Sequence, residues 1–254
     1  MKVATWNVNS LRVRLPHVLD WLQDNPIDAL CLQETKVVDA DFPREEIEQA
    51  GYKATFAGQK TYNGVAVLTK QSAAEITTDI PGLDDPDRRI LGVTVDGWRI
   101  LNLYVVNGRD VGDPKYDYKL HWLAKVAEFI SLDSQKHERY LILGDFNIAP
   151  ADEDVHDPDL WRERILCSTP EREALATIKE IGFEDCFRQF GQEPDSFSWW
   201  DYRQGAFRRN IGLRIDLILA SPAAAALCTA CHIDKTPRRW ERPSDHTPVV
   251  AEFS

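Results

Sequence analysis

Residues 141–147 read Leu-Ile-Leu-Gly-Asp-Phe-Asn, an apolar run that ends abruptly in two polar side chains two residues apart. If Leu141 to Leu143 form a buried strand, the two-residue period sends Asp145 and Asn147 to the same side of the strand end. A carboxylate beside an amide is suited to holding a water molecule against an oxyanion. Taken alone, the stretch is explained better by a strand that ends in a turn, because Gly, Asp and Asn are common turn formers.

The same layout occurs at five other places, where a short apolar run carries a carboxylate, amide, phenol or imidazole at one end. The groups are Asn7 and Asn9, then Glu34, then Tyr104 with Asn107 and Arg109, then Asp216, and finally Asp245 with His246. Each has a plain structural alternative, such as a turn cap for Asn7 or an ion pair with Lys36 for Glu34. Together they would require several strands to end in suitable groups by chance, so we expect one shared catalytic rim.

Length and composition indicate a single domain spanning residues 1–254. The chain is 43% hydrophobic, which is enough for a sizeable core, and no linker or low-complexity tract divides it. No signal-like segment opens the chain and no apolar stretch approaches the ~20 residues that span a bilayer. The five cysteines are an odd number, which favours reduced thiols, and we assign no role to the cluster Cys228-x-x-Cys231-His232. We therefore expect a cytoplasmic protein.

Hydrophobic spacing predicts a mixture of strands and helices. Strands are expected near residues 2–7, 28–34, 52–58, 63–69, 90–96, 98–105, 139–145, 213–220 and 247–253. Helices are expected at Arg14–Gln23, Pro43–Gln49, Tyr116–Leu132 and Pro170–Ile181. Because the two types do not alternate regularly, the order favours two sheets packed face to face with helices outside, rather than a barrel.

The formal net charge of −11 argues at first against a nucleic-acid partner, whose phosphates attract basic proteins. The distribution of charge is more informative than the total. Residues 203–242 contain eight basic residues and three acidic ones, a local excess of five positive charges that includes Arg203, Arg208 and Arg209. Aromatic residues precede this stretch at 197–202, and arginines interleaved with aromatic rings suit stacking on bases or sugars.

Seven short stretches, in this order, give the chain a family resemblance. They are residues 6–9 (WNVN), 32–36 (LQETK), 62–66 (YNGVA), 144–147 (GDFN), 197–203 (FSWWDYR), 212–216 (GLRID) and 244–246 (SDH). With them the chain resembles the exonuclease III family of abasic-site endonucleases, within the wider endonuclease/exonuclease/phosphatase superfamily. Several stretches are shared across the superfamily and imply metal-dependent phosphoester hydrolysis. The stretches at 197–203 and 212–216 are characteristic of the DNA-repair branch.

The resemblance implies a four-layer α/β sandwich, with two packed mixed β-sheets flanked by helices, like deoxyribonuclease I. It also implies a Mg²⁺ site, with Mn²⁺ as an alternative ion. Glu34 would be the principal ligand, Asn7 and Asp245 would lie near the ion, and Asn9 would contribute through water. Oxygen ligands of this kind suit a hard dication that keeps several waters.

The resemblance also implies roles in catalysis. Asp145 would orient or deprotonate the attacking water, and Asn147 would hydrogen-bond the nucleophile or the phosphate. His246, partnered by Asp216, would donate to a phosphate oxygen. Tyr104 would donate to the phosphate or assist the leaving group. An isolated aspartate with a pKa near ~3.9 is a weak base, so a metal ion is expected to assist.

The implied substrate is duplex DNA, cleaved 5′ to an abasic site, with 3′-5′ exonuclease and 3′-phosphatase activities as further expectations. Trp199 and Leu213 match positions that line the pocket for the extruded sugar. Asn107 and Arg109 lie on a loop that approaches DNA in relatives. Two departures from the family pattern occur, at Ser10 and Val106, where glycine and proline are usual. Val106 puts the balance between endonuclease and exonuclease activity in question.

Two alternatives remain at this stage. One is a superfamily enzyme that acts on RNA or another phosphoester, which a comparative activity screen would identify. The other is a catalytically silent module that binds damaged DNA. The second alternative is disfavoured because every expected catalytic residue is present. A monomer is expected, since no long apolar stripe is left for an interface.

Overall fold

Two six-stranded mixed sheets form the centre of the computed structural model, which describes residues 1–254. The first sheet contains β1 (Lys2–Asn7), β2 (Ala29–Gln33), β3 (Lys53–Ala57), β4 (Val65–Thr69), β11 (Cys228–Ile233) and β12 (Val249–Phe253). The second contains β5 (Ala74–Thr77), β6 (Ile90–Val95), β7 (Trp98–Tyr104), β8 (Arg139–Asp145), β9 (Glu184–Asp185) and β10 (Asp216–Ala220). Their strand orders are β11-β12-β1-β2-β4-β3 and β5-β6-β7-β8-β10-β9.

Six helices accompany the sheets: α1 (Leu11–Asp24), α2 (Arg44–Gln49), α3 (Pro114–Asp133), α4 (Pro158–Trp161), α5 (Thr169–Glu180) and α6 (Pro222–Ala225). Helix α1 packs on the outer face of the first sheet, and α3 and α5 pack on the outer face of the second. The predicted four-layer sandwich is therefore confirmed. None of the helices combines the length and apolar composition needed to cross a membrane.

The largest apolar cluster lies between the two sheets and contains 23 buried residues. Central strands such as β1, β2, β4 and β8 are buried over almost their whole length, as expected for strands covered on both faces. Each sheet has one parallel pair, β1 with β2 and β7 with β8. Polar residues that follow these pairs therefore meet at one end of the sandwich.

Gly144 shows why the strand that decides the fold carries a glycine just before its carboxylate. Its φ is 153°, and a Cβ atom built there would lie 1.9 Å from the carbonyl oxygen of Leu103 on the neighbouring strand β7. Any larger residue would push β7 and β8 apart, because that contact is with backbone rather than with a flexible side chain. The close approach keeps Tyr104 and Asp145 side by side.

Strand β12 occupies an inner position of the first sheet, between β11 and β1. It runs antiparallel to β1, with Val3 opposite Ala251, and the amino group of Met1 donates to the carbonyl oxygen of Phe253 at 2.8 Å. The residues just before β12 include Asp245 and His246. The last strand thus completes the sheet in which the first strand lies.

The nine predicted strands and four predicted helices are all present, with ends shifted by up to three residues. The predicted strand at 213–220 begins only at Asp216. Three strands were not predicted, namely β5, β9 and β11, and each lies at an edge of its sheet. Edge strands are short, exposed and rich in small or polar residues, so their pairing with a neighbour defines them more than their hydrophobic pattern does.

Candidate active site

Three site residues lie side by side at one end of the second sheet. Tyr104 is opposite Asp145 in the parallel pairing of β7 with β8, and Asp216 is opposite Asp145 in the antiparallel pairing of β10 with β8. Asp145 and Asp216 are buried, and Tyr104 is partly exposed. A phenol and two carboxylates are therefore aligned across neighbouring strands, as the sequence pattern predicted.

Asn7 joins the first sheet to this row. Its side-chain Nδ2 donates to Asp145 Oδ2 at 2.9 Å and to Glu34 Oε1 at 2.9 Å. Asn7 is completely buried at the end of β1, and Glu34 follows β2 with a left-handed φ of 51°. This amide links the two sheets and fixes the position of both carboxylates.

His246 is held by a second carboxylate. Its Nδ1 lies 2.9 and 3.1 Å from the two oxygens of Asp216, and Ser198 Oγ donates to Asp216 Oδ2 at 2.7 Å. His246 Nε2 is 3.8 Å from Asp145 Oδ2, which is too long for a hydrogen bond. Because Asp216 orients the ring through Nδ1, Nε2 is directed into the site and is free to donate.

The pKa values of Asp145 and His246 favour opposite proton roles. Burial raises the pKa of Asp145 to about 7, with a further rise from Asp216, while His246 and Asn7 oppose it. Burial lowers the pKa of His246, but Asp216 and Asp145 outweigh this effect and raise it to about 10. Near neutral pH, Asp145 can accept a proton and His246 remains a cationic donor.

Tyr104 remains a protonated phenol. Burial raises its pKa well above the ordinary value, and the negative charges of Glu34 and Asp145 raise it further. The guanidinium of Arg89 lies 4.8 Å from the centre of the Tyr104 ring and orients it. The phenol can therefore donate a hydrogen bond to an anionic substrate, but it cannot act as a phenolate nucleophile.

Asn147 lies beside Asp145 in a fixed orientation. Its backbone N–H donates to Asp145 Oδ1 at 2.9 Å, and its Nδ2 donates to the carbonyl oxygen of Val105 at 3.0 Å. Asn107 Nδ2 donates to Asn147 Oδ1 at 3.0 Å. Asn147 has a left-handed φ of 49°, a conformation that asparagine tolerates better than most residues. Two predicted site residues, Asn107 and Asn147, are thus in direct contact.

Glu34 and Asn9 already hold a cationic group, which tests whether these residues suit a metal ion. The ammonium of Lys36 is 2.8 Å from Glu34 Oε2 and 2.6 Å from Asn9 Oδ1. A carboxylate and an amide oxygen facing one positive charge are the ligand types that Mg²⁺ prefers. The pair of Glu34 with Lys36 also means that the structural alternative raised for Glu34 occurs in this structure. The donor set fits a hard cation that would displace Lys36.

Asn7 and Asp245 fit the predicted metal site less directly. Asn7 presents its amide nitrogen, not its oxygen, to Glu34, so it orients the carboxylate in this structure. Asp245 accepts from Asn9 Nδ2 at 3.0 Å and from Trp199 Nε1 at 3.1 Å. Burial would raise the pKa of Asp245, but His246 and these two donors lower it, so it is ionised. Its negative charge therefore adds to the field around Asn9.

A second group could also coordinate a metal ion by distance alone. One ligand atom from each of Asp145, Asp216 and His246 lies within 4.8 Å of the others, and all three residues are buried. However, His246 Nδ1 and the oxygens of Asp216 are already paired. An imidazole also suits zinc or copper better than magnesium. We therefore favour the oxygen-rich site at Glu34 for a hard cation.

Trp199 and Leu213, the two residues predicted to line a sugar pocket, differ in exposure. They face each other in an antiparallel bridge, with N–H to O distances of 3.0 Å in both directions. Trp199 is partly exposed, but Leu213 is 0% exposed. The Leu213 side chain packs beneath Trp199 in a small apolar cluster, and its contact with DNA stays a prediction. Leu213 supports the aromatic ring.

The predicted DNA-binding arginines lie outside the buried centre. Arg109, Arg203, Arg208 and Arg209 are all exposed. Arg203 forms a two-point ion pair with Asp201, through contacts of 2.7 and 3.0 Å. The local excess of five positive charges counted from sequence overstates the surface charge. Arg214 is buried against Asp154 and Asp185, and Arg238 is buried near Trp200.

Sequence reasoning missed two residues that shape the site. Lys36 bridges Glu34 and Asn9, although it was noted only as an alternative partner for Glu34. Ser198 fixes Asp216 and also accepts the backbone N–H groups of Ile215 and Asp216 at 3.1 Å. Ser198 lies inside the stretch 197–203 that carried the family resemblance, but its sequence gives no sign of a partner 18 residues away.

Comparison with known proteins agrees with this geometry. A model of the Endonuclease/Exonuclease/phosphatase family matches residues 4–246, which is nearly the whole chain. The chain belongs to this family. Exodeoxyribonuclease III of Haemophilus influenzae is 37% identical to it over the full length of both chains. The predicted resemblance to exonuclease III is therefore confirmed.

Two solved structures of the family superimpose closely. The 3′ phosphatase NExo from Neisseria, bound to a product DNA hairpin, is 45% identical with a TM-score of 0.98 and covers 100% of this chain and 99% of its own. An AP endonuclease from Archaeoglobus fulgidus is 36% identical with a TM-score of 0.96, again covering 100% and 99%. The family thus includes proteins named for two different DNA lesions.

Proposed function

We propose that this protein is a Mg²⁺-dependent DNA repair phosphodiesterase that cleaves duplex DNA 5′ to abasic sites. The observation that carries the proposal is the position of Asp145, which is hydrogen-bonded to Asn7 and Asn147 and lies 3.8 Å from His246 Nε2. A base, an amide and a cationic donor then surround one space. The exodeoxyribonuclease III and AP endonuclease relatives support DNA as the substrate.

In this proposal, Asp145 accepts the proton of the attacking water. Its pKa of about 7 makes it a better base at neutral pH than an ordinary aspartate. His246 donates from Nε2 to a phosphate oxygen, while Asp216 keeps the ring charged and oriented. Tyr104 donates from its phenol to the phosphate or to the leaving 3′ oxygen. Asn147 orients the water beside Asp145.

Glu34 and Asn9 would hold the divalent ion, with Asp245 adding negative charge nearby. When bound, the ion supplies polarisation of the phosphate and stabilisation of the departing oxygen. Mg²⁺ is our first choice and Mn²⁺ is an alternative, because both accept carboxylate and amide oxygens. Trp199 would fill the space beside the extruded abasic sugar, since a nucleotide without its base is cheap to flip.

Activity at 3′ ends is a second candidate function. The observation that favours it is the 45% identity to a protein named as a 3′ phosphatase, compared with 36% to the AP endonuclease. The same base, imidazolium and phenol could hydrolyse a terminal 3′ phosphate. None of the five cysteines forms a disulfide, which supports our proposal of a cytoplasmic location.

The test is cleavage of an end-labelled duplex that contains one abasic-site analogue. An intact duplex, a duplex ending in a 3′ phosphate and an RNA duplex are the parallel substrates. Each is incubated with Mg²⁺ and then with chelator, using the wild type and Asp145→Asn. We expect metal-dependent incision directly 5′ of the lesion, lost in the variant.

The other outcomes are equally informative. Removal of only the 3′ phosphate, or shortening from 3′ ends, would replace endonuclease activity with end processing by the same residues. Cleavage confined to the RNA duplex would show that the substrate is RNA and would contradict the proposed action on DNA. Metal-dependent binding without any cleavage would favour a damage-binding module and would contradict the proposal.

A further inference from the structure

A buried lysine outside the active site contacts both asparagine loops. Lys119 lies in the N-terminal half of α3 and is 0% exposed. Its ammonium donates to the carbonyl oxygen of Asn147 at 2.7 Å and to that of Asn107 at 3.2 Å. These are the two residues whose side chains hydrogen-bond each other beside Asp145. One cation therefore holds the backbone of both.

The third partner of Lys119 is the buried carboxylate of Glu171, on α5. Glu171 accepts further hydrogen bonds from the backbone N–H of Leu166 at 3.1 Å, and from Ser168 N–H at 3.1 Å and Ser168 Oγ at 2.7 Å. Every oxygen of this carboxylate is thus occupied. The ion pair is anchored to the start of α5, so the ammonium cannot shift without breaking several bonds.

The contacts of Lys119 with Asn147, Asn107 and Glu171 together form what we call the Lys119 clamp. The backbone conformation around Lys119 explains why this clamp is useful. Asn147 and Gly108 both have left-handed φ angles, of 49° and 92°. A Cβ atom at Gly108 would lie 3.2 Å from Lys119 Cδ, so the lysine stem fills the space directly beneath this loop. A conformation of this kind persists only when surrounding contacts determine it. The ammonium supplies such contacts through the carbonyl oxygens of Asn107 and Asn147.

A buried ion pair is an expensive way to stabilise a protein, since apolar residues of similar volume are often at least as stabilising. The position of this pair therefore requires another reason than stability alone. We propose that Lys119 is a positioning residue, which holds the peptide groups of Asn147 and Asn107 so that the Asn147 amide faces the water at Asp145. The expected effect of Lys119 on kcat rests on the proposed DNA hydrolysis, whereas its expected effect on the backbone of Asn147 and Asn107 does not.

The central variant is Lys119→Met combined with Glu171→Gln. Lys119→Met alone leaves Glu171 charged and buried without its partner, so it is expected to lower Tm strongly. The glutamine in the double variant has no charge, and its one carbonyl oxygen can still accept from the Ser168 backbone N–H in the capping box, while the bond from Leu166 N–H is lost. The matched control is Lys125→Met with Glu128→Gln, because this lysine–glutamate pair lies on the same helix, with Glu128 exposed and Lys125 partly exposed.

We expect kcat on the abasic duplex to fall roughly tenfold or more in the central double variant, since a small misplacement of an orienting group is costly. KM should change much less, and the control should retain both values. In an Asn147→Ala background the same double variant should cause no further loss, because Lys119 acts through Asn147. Independent, multiplicative losses would indicate a general structural effect and would overturn the inference.

Hydrogen exchange provides a readout that needs no substrate. Backbone amides at 105–109 and 146–149 should exchange faster in the central double variant, whereas the control should match the wild type. If the wild type cleaves no DNA, the proposed function fails, and faster exchange at these segments would still support the clamp. Unchanged exchange, or a folded double variant with wild-type kcat, would overturn the role of Lys119 alone.

Discussion

Asp145 and His246 face each other across 3.8 Å, and neither is close enough to hydrogen-bond the other. They come from different sheets, since Asp145 ends β8 and His246 precedes β12. An acceptor and a cationic donor thus lie close together, and an oxygen atom beside the pair, rather than between its two members, can be within hydrogen-bond distance of both. A phosphate oxygen or a water molecule placed there would contact both.

The pH dependence of cleavage should reflect this pair. With Asp145 near a pKa of about 7 and His246 near about 10, kcat should rise as pH increases through the first value and fall beyond the second. Asp216→Asn removes the charge that keeps His246 protonated, so the alkaline fall should move to lower pH. Single-turnover rates from pH 5.5 to 10.5 would measure this. An alkaline limb unmoved in Asp216→Asn would exclude His246 as the donor.

Asp145→Asn should stabilise the protein while it abolishes cleavage. The folded pKa of Asp145 is raised from its unfolded value, so its favourable contribution is fully present only below about pH 3.8 and is lost as pH rises through about 7. Above pH 7 the buried carboxylate is ionised, and replacing it should add about 1 to 3 kcal/mol. Thermal unfolding in chelator should show a higher Tm for the variant at pH 8, with a smaller gap at pH 5. Asp152→Asn, at an exposed position, serves as the control.

Glu34→Gln should weaken Mg²⁺ binding roughly tenfold or more, because affinity for a hard cation follows the charge of its ligands. Lys36→Met should have the opposite effect, since it removes the ammonium that occupies the space between Glu34 and Asn9. Calorimetric titration of the free protein with Mg²⁺ compares the three proteins without DNA. Equal affinities in all three would place the ion elsewhere.

Trp199→Ala should lower selectivity for an abasic site more than affinity for intact duplex. The indole is partly exposed and donates to Asp245, so its loss removes both a ring and a hydrogen bond. Competition between abasic and intact duplexes should show selectivity falling roughly tenfold, given the strength of aromatic contacts with nucleotides. Trp199→Phe keeps a ring and should retain most of it. Selectivity that survives Trp199→Ala would remove this residue from the lesion pocket.

The exposed arginines should differ in their contributions to DNA affinity. Arg208 and Arg209 have no carboxylate partner, whereas Arg203 is paired with Asp201. If each unpaired arginine meets one phosphate, Arg208→Ala or Arg209→Ala should reduce the slope of log affinity against log salt by about 0.9. Arg203→Ala should change the slope less. The slopes can be measured by filter binding from 50 to 200 mM salt, with each arginine variant made in the non-cleaving Asp145→Asn background. Identical slopes for all variants would locate the DNA-binding face elsewhere.

The sequence was sufficient to predict which groups meet, because strand ends and the two-residue period depend on local pattern. Asn7, Glu34, Asp145 and His246 were all brought together as expected. The edge strands β5, β9 and β11 could not be found in this way, since a neighbouring strand supplies their hydrogen bonds. Their own side chains carry little of the signal.

Contacts between residues that lie far apart in the sequence also could not be predicted. Burial of Leu213 beneath Trp199 depends on packing against residues 149–167, which no local pattern reveals. Lys119 contacts Asn147, which is 28 positions away in the sequence, and Glu171, which is 52 positions away. From sequence alone, a lysine in a helix is expected on the surface, and only the fold shows that this one is enclosed.

The inner position of β12 has a consequence for synthesis of the protein. Asp245 and His246 are followed by the strand that inserts between β11 and β1, so the imidazole is translated after all other groups of the site, including its partner Asp216. A nascent chain on the ribosome that has reached residue 240 carries Asp145, Glu34 and Tyr104 but has neither the donor nor the completed sheet. Nuclease chemistry therefore has to wait until residues 245–253 have been translated, and a chain that stops before His246 would lack the cationic donor.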